Sequence, residues 1–137
     1  MPAKNPEEIC RLFQRYVSDG DIESLLSLYD PEAVFLAQSG EVKKGEGLRE
    51  ELSRLAVAKA QFDFNIRQVI QSGDTALMHT DWKVSAPRQM FEYAIEVARR
   101  QPDGSWRWLI GDPFTVGRIS AFPERSSGGS RAEGFGL

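Results

Sequence analysis

The chain has 137 residues, 41% hydrophobic and 27% charged, which suits one soluble globular domain with an ordinary core and leaves little material for a second. Its net charge of −3 comes with Lys and Arg scattered along the chain, so no basic stripe faces a phosphate backbone and no polybasic segment anchors anionic lipid. The expected partners therefore include neither nucleic acid nor a membrane.

The apolar runs fall short of the about 20 residues that a membrane helix needs, and residues 1–8 lack the apolar core of a signal peptide, so a cytoplasmic location is expected. Asn5 is placed to cap a first helix that opens with Pro6 and Glu8, and Ile9, Leu12, Phe13, Tyr16 and Val17 recur on one face of it. Cys10 lies beside that face and reads as a small buried thiol, since no cation or base is placed to favour its thiolate. Asp19-Gly20-Asp21 ends the helix and caps a second one carrying Leu25, Leu26, Leu28 and Tyr29, which Pro31 stops. Residues 33–37 read as a short strand. Ser39-Gly40, Gly45 and Gly47 mark turns before a third helix with Leu48, Leu52, Leu55 and Ala56 on one side.

From Phe62 the period changes to two, with Phe62, Phe64 and Ile66 alternating with Asp63, Asn65 and Arg67. Ser72-Gly73-Asp74 turns the chain into a strand over about residues 75–84, and Ala86-Pro87 turns it again into a strand over 90–100. Pro102-Asp103-Gly104 then closes a hairpin with a last strand over about 105–110, because proline presets one turn dihedral and glycine tolerates the other. Residues 114–116 read as a continuation of that strand beyond Asp112-Pro113. The order is helix, helix, strand, helix, then four antiparallel strands, an α+β arrangement. Residues 1–118 form the expected domain, and 119–137, rich in Gly and Ser, read as a flexible tail.

Gly20-Asp21-Ile22, the segment from Leu28 to Phe35, Gly73-Asp74-Thr75-Ala76 and Asp103-Gly104-Ser105-Trp106 occur in the order that marks a known family. Over about residues 6–116 the chain resembles the nuclear-transport-factor-2-like superfamily, nearest to its ketosteroid-isomerase-like or SnoaL-like branch. The resemblance implies three N-terminal helices packed on a strongly curved, mainly antiparallel sheet around a conical pocket. It also implies a small hydrophobic or semi-polar ligand and a homodimer, and the acid-base chemistry considered for such a pocket calls for no cofactor. Strands with sizeable apolar residues on both sides agree with the dimer, because each side then needs covering.

The isomerase places a carboxylate base after the first strand, a tyrosine on the first helix and a protonated acid on a late strand. Gap-free alignment puts the base at Ala37, which cannot take a proton, and the tyrosine at Phe13, with Tyr16 one turn on. It puts the acid at Glu96. The candidate catalytic residues are then Glu96, Asp81 and Asp112, and the candidate substrate-binding residues are Tyr16, Phe35, His79, Trp82 and Tyr93. A carboxyl in an apolar cone has a raised pKa and suits proton transfer near neutral pH, and His79 needs only a small shift to do the same.

Strand phase stays open. An inward Glu96 is matched in the same register to inward His79 and Asp81, whereas alternation buries Phe91, Tyr93, Ile95 and Val97 and turns Glu96 away. One His and one Cys supply no metal motif, and neither a Gly-rich phosphate loop nor a Gly-x-Ser-x-Gly elbow occurs. The functional readings are a cofactor-independent isomerase, cyclase or dehydratase, a non-catalytic ligand-binding protein, or a dimeric interaction module with a vestigial pocket.

Overall fold

In the computed structural model, residues 2–86 and 88–115 are described. The expected tail at 119–137 lies outside them, as does residue 116 of the expected strand continuation, while Phe114 and Thr115 are not strand because the last strand ends at Asp112 and Pro113 turns the chain. Helix α1 spans Pro6–Asp19, and Asn5 caps it by accepting the Glu8 amide at 2.9 Å. Its heptad-like spacing buries Ile9, Leu12, Phe13, Tyr16 and Val17, with Cys10 beside them. Gly20 ends it at φ 73°, a left-handed position where an added Cβ would also stand 3.2 Å from the Ala56 carbonyl oxygen. Asp21 then caps the short α2, Ile22–Leu26, by accepting the Ser24 amide at 3.1 Å. Helix α3 spans Glu46–Ala58 and buries Leu48, Leu52 and Ala56.

Six strands form one mixed sheet. They are β1 (Tyr29–Leu36), β2 (Val42–Lys44), β3 (Gln61–Ser72), β4 (Thr75–Ala86), β5 (Met90–Arg100) and β6 (Trp106–Asp112), in the order β2-β1-β6-β5-β4-β3. The four long strands are antiparallel neighbours, as expected, and β1 joins β6 in parallel. Helix α1 lies against β3 and β6, and its face meets Ala76, Met78, Ala98, Trp106 and Trp108 in a continuous core. No helix of the described residues is long and apolar enough to cross a membrane.

Two local readings change. Tyr29 opens a strand instead of closing a helix, because α2 stops at Leu26 and Tyr29 pairs with Trp108 of β6. Pro31 is tolerated inside β1 because the register shifts between Tyr29 and Val34, where a missing amide costs no ladder bond. Strand β2, absent from the sequence reading, pairs with the end of β1 through Val34, Phe35 and Leu36.

Candidate active site

Register decides which side chains of β4 and β5 share a face, since directly opposed residues point the same way. Met78 faces Glu96, and Ala76 faces Ala98, all buried in the core. Glu96 is therefore inward, with Met78, Thr80 and Trp82 as its companions on β4. His79 lies opposite Ile95, and Asp81 opposite Tyr93, on the other face. The expectation that inward Glu96 brings His79 and Asp81 with it is thus corrected: the odd residues of both strands turn outward together.

Inward residues from α1, α3 and all strands but β2 line a cavity of about 290 Å³. Its deep wall is aromatic. Phe13 stands edge-on to Phe62, Phe64 and Trp108 at centroid distances of 5.2, 5.6 and 5.4 Å, and Tyr29 tilts against Trp108 at 5.5 Å. Phe35 and Trp82 line it as expected, and Trp82 is fixed by an indole N–H donated to the Pro113 carbonyl at 2.9 Å. Its other charged lining residues besides Glu96 are Glu51, half-buried, and Arg54 and Arg88, both exposed.

Glu96 sits in this wall and is 7% exposed. Among the described residues its Oε1 is buried with no hydrogen-bond partner, and burial pushes its pKa up to about 8. Gly111 lies directly opposite on β6, where a Cβ would crowd Phe35 at 3.3 Å, so the strand that faces the acid carries no side chain to cover it. Trp108 Nε1 is a second buried atom without a partner, and Trp108 opposes Ala98, two residues along the same face from Glu96. Burial, then the charges of Glu96 and Cys10, raise the Tyr29 pKa well above the ordinary tyrosine value, which keeps it a neutral phenol. The cavity thus offers an acid, an indole N–H and a phenol within an apolar surround.

The other expected site residues lie elsewhere. Asp81 accepts hydrogen bonds from Arg67 at 2.8 Å and Asn65 at 3.1 Å on the outer face, and Tyr93, 39% exposed, stacks under the Arg67 guanidinium there. His79 shares that face. Asp112 opposes the outward Ile95, and its carbonyl accepts the Thr115 hydroxyl at 2.9 Å, so strand phase turns it from the cavity that Pro113 and Phe114 line. Tyr16 is buried in the core, and Phe13, a turn earlier, takes the cavity position. Among the described residues no group of three or more His, Cys, Asp or Glu is arranged to hold a metal ion.

Sequence reasoning missed Tyr29, Trp108 and the two arginines as lining residues. Tyr29 was hidden by its helical reading, while Trp106 and Trp108 flank Arg107 in an alternation that signals an inward position.

Comparison with known proteins agrees with this architecture. The chain matches the SnoaL-like domain over residues 9–112. No curated protein matches it. Among solved structures it is similar to a proposed calcium/calmodulin-dependent protein kinase type II association domain from Thiobacillus denitrificans, at 14% identity and TM-score 0.66, covering 83% of this chain and 97% of that one. It is also similar to a proposed dehydratase of the NTF2-like family from Streptomyces avermitilis, at 18% identity and TM-score 0.61, covering 77% and 89%. A proposed ketosteroid isomerase from Shewanella frigidimarina gives 12% identity and TM-score 0.63, covering 77% and 90%. At such identities these structures speak for the fold alone. With the family model matched across most of the chain, the protein belongs to the SnoaL-like domain family.

Proposed function

We propose that the cavity is a conical small-molecule pocket and that Glu96 works in it as a general acid on an oxygen-bearing, largely apolar substrate, without a cofactor. The observation that carries this reading is the buried, unpartnered carboxyl of Glu96 in the cavity wall, since a buried polar group without a partner costs free energy that a bound oxygen can offset. The Trp108 indole N–H, equally unpartnered, supplies a second donor for the same oxygen.

No carboxylate stands at Ala37 to act as a separate base. A single group with a pKa of about 8 has both forms accessible near neutral pH, so it can give a proton at one atom and take one at another. In a dehydration, Glu96 protonates the leaving hydroxyl as the C–O bond breaks. Its carboxylate then takes the proton from the adjacent carbon as the C=C bond forms, and water leaves with the residue restored. An isomerisation or cyclisation uses the same give-and-take without loss of water.

The test is binding of 2-acetylnaphthalene followed by NMR. The Trp108 indole proton and the Glu96 side-chain carbon should both shift on addition, and Glu96→Gln should weaken binding while leaving the fold intact. A site-resolved titration that gives Glu96 an ordinary value of about 4.3 would sink the acid assignment.

A second reading has its own observation. Phe91, Tyr93, Ile95 and Ile110 are 55%, 39%, 39% and 48% exposed on the outer face of β5 and β6. We propose that a second copy covers them, making the protein a homodimer whose sheets meet. Light scattering at micromolar concentration should give twice the chain mass, and a monomeric mass would refute the pairing.

A further inference from the structure

The lining of the cavity changes character from one end to the other. Phe13, Trp82, Trp108 and Glu96 are all at most 7% exposed, whereas the Arg54 side chain is 63% exposed and Arg88 is exposed in the turn between β4 and β5. The buried end is aromatic with hydrogen-bond donors, so the exposed end is the mouth, and its charged groups are Glu51, Arg54 and Arg88.

The charge at that mouth does not cancel. Arg54 Nη2 donates to Glu51 Oε2 at 2.9 Å, which pairs one guanidinium with the one carboxylate at that end among the described residues. Among the described residues Arg88 has neither an ion pair nor a hydrogen bond. It holds five donors in a fixed fork suited to a carboxylate. A positive mouth above an apolar channel, with unpartnered donors at its floor, describes the complement of one kind of molecule.

Resting on the reading of the cavity as a ligand pocket, we propose that its ligand is an amphipathic anion. An apolar body fills the aromatic channel, an oxygen acceptor meets Glu96 and Trp108, and a compact anionic group such as a carboxylate meets Arg88 at the mouth, assisted by Arg54. The arrangement selects charge at one end only: a second anionic group at the floor would face the Glu96 carboxyl in an apolar surround, where ionised groups are strongly disfavoured. Arg88 acts here as a binding and specificity residue and touches no reacting atom.

A matched pair of probes separates charge from shape: 6-acetyl-2-naphthoate and its neutral primary amide, titrated into the full chain by calorimetry. The carboxylate should bind about tenfold more tightly than the amide, the scale of a charge-assisted hydrogen bond. Arg88→Gln should erase that preference and leave the amide within twofold of its wild-type affinity. Glu51→Gln should move the other way, because releasing Arg54 adds positive charge at the mouth, and the carboxylate should gain about threefold. Equal binding of the two probes by the wild type, with Glu96→Gln still weakening both, overturns the anion inference while leaving the pocket reading in place. Absence of binding for both probes at millimolar concentration overturns the two together. Arg88 and Glu51 lie outside the core, so unchanged melting temperatures for both variants exclude misfolding as the cause of any difference.

Discussion

Two carboxylates of this protein are buried to nearly the same degree, Asp30 at 4% and Glu96 at 7% exposure, and the fold treats them oppositely. Around Asp30, at the corner where β1 meets the β5–β6 hairpin, burial raises the pKa. Hydrogen bonds from Arg99, the Glu32 amide and Gln101 outweigh that and hold it at about 2. Around Glu96 the described residues supply no donor, and burial carries the pKa to about 8. The same chain that brings two arginine nitrogens within 3.0 Å of one acid leaves the other bare against a cavity. A carboxylate satisfied by its own protein is structural. One left unsatisfied in a wall is available to a ligand, which is why the difference points to function.

The largest expected effect tests the bare acid. If Glu96 supplies the proton, Glu96→Gln should lower any proton-transfer turnover by roughly 10²–10⁴-fold. Stability should move in the favourable direction. The folded protein holds the Glu96 proton up to about pH 8 while the unfolded chain loses it near 4.5, so the native state binds more protons across that window and stability falls as pH rises through it. The stabilisation is fully present below pH 4.5 and gone above 8, a swing on the order of 5 kcal/mol. Urea denaturation at pH 5 and pH 8 should therefore show the wild type losing several kcal/mol relative to Glu96→Gln. Parallel pH profiles for the two proteins would mean that Glu96 is already ionised in the native state.

Asp30 should show the opposite sign. Its pKa is depressed, so its contribution is present above the ordinary carboxylate range near 3.9 and is lost as pH falls toward 2. Asp30→Asn should cost about 2 kcal/mol near neutral pH, since it removes the charge that Arg99 and Gln101 share but leaves Arg99, 37% exposed, able to reach water. The penalty should shrink below pH 3. An unchanged urea midpoint for Asp30→Asn would show the corner network to be decorative.

The contrast also marks what the sequence discloses. Helix caps, turns and the alternation of β3 to β6 are local signals, and they placed those elements within a few residues. Tyr29 escaped because its strand state comes from pairing with Trp108 across most of the chain, which no local window contains. For the site, pattern alone would have turned Glu96 outward, since Phe91, Tyr93 and Ile95 form the more apolar side of β5. The structure exposes that side and buries the acid. Resemblance to the isomerase corrected Glu96, but His79 and Asp81 followed it inward only because the pairing of Met78 with Glu96 was not legible. Arg99, read as a solvated strand end, proved to be the partner of Asp30 for the same non-local reason.

The smallest effect asks whether Asp30 is held by charge or by geometry. Arg99 meets it with two nitrogens, Nε at 3.0 Å and Nη2 at 2.9 Å, and a lysine there keeps the charge while losing the planar fork. Arg99→Lys should cost about 1 kcal/mol and let the Asp30 pKa rise while staying below its ordinary value, because the Glu32 amide and Gln101 remain. Carboxyl-carbon NMR on the variant reads that directly. A titration identical to the wild type would assign the low pKa to charge and the remaining donors, whereas a return to about 3.9 would assign it wholly to the fork. In neither case should the Glu96 titration move, since Arg99 lies outside the cavity lining, and a coupled shift there would break the separation of the two acids on which the comparison rests.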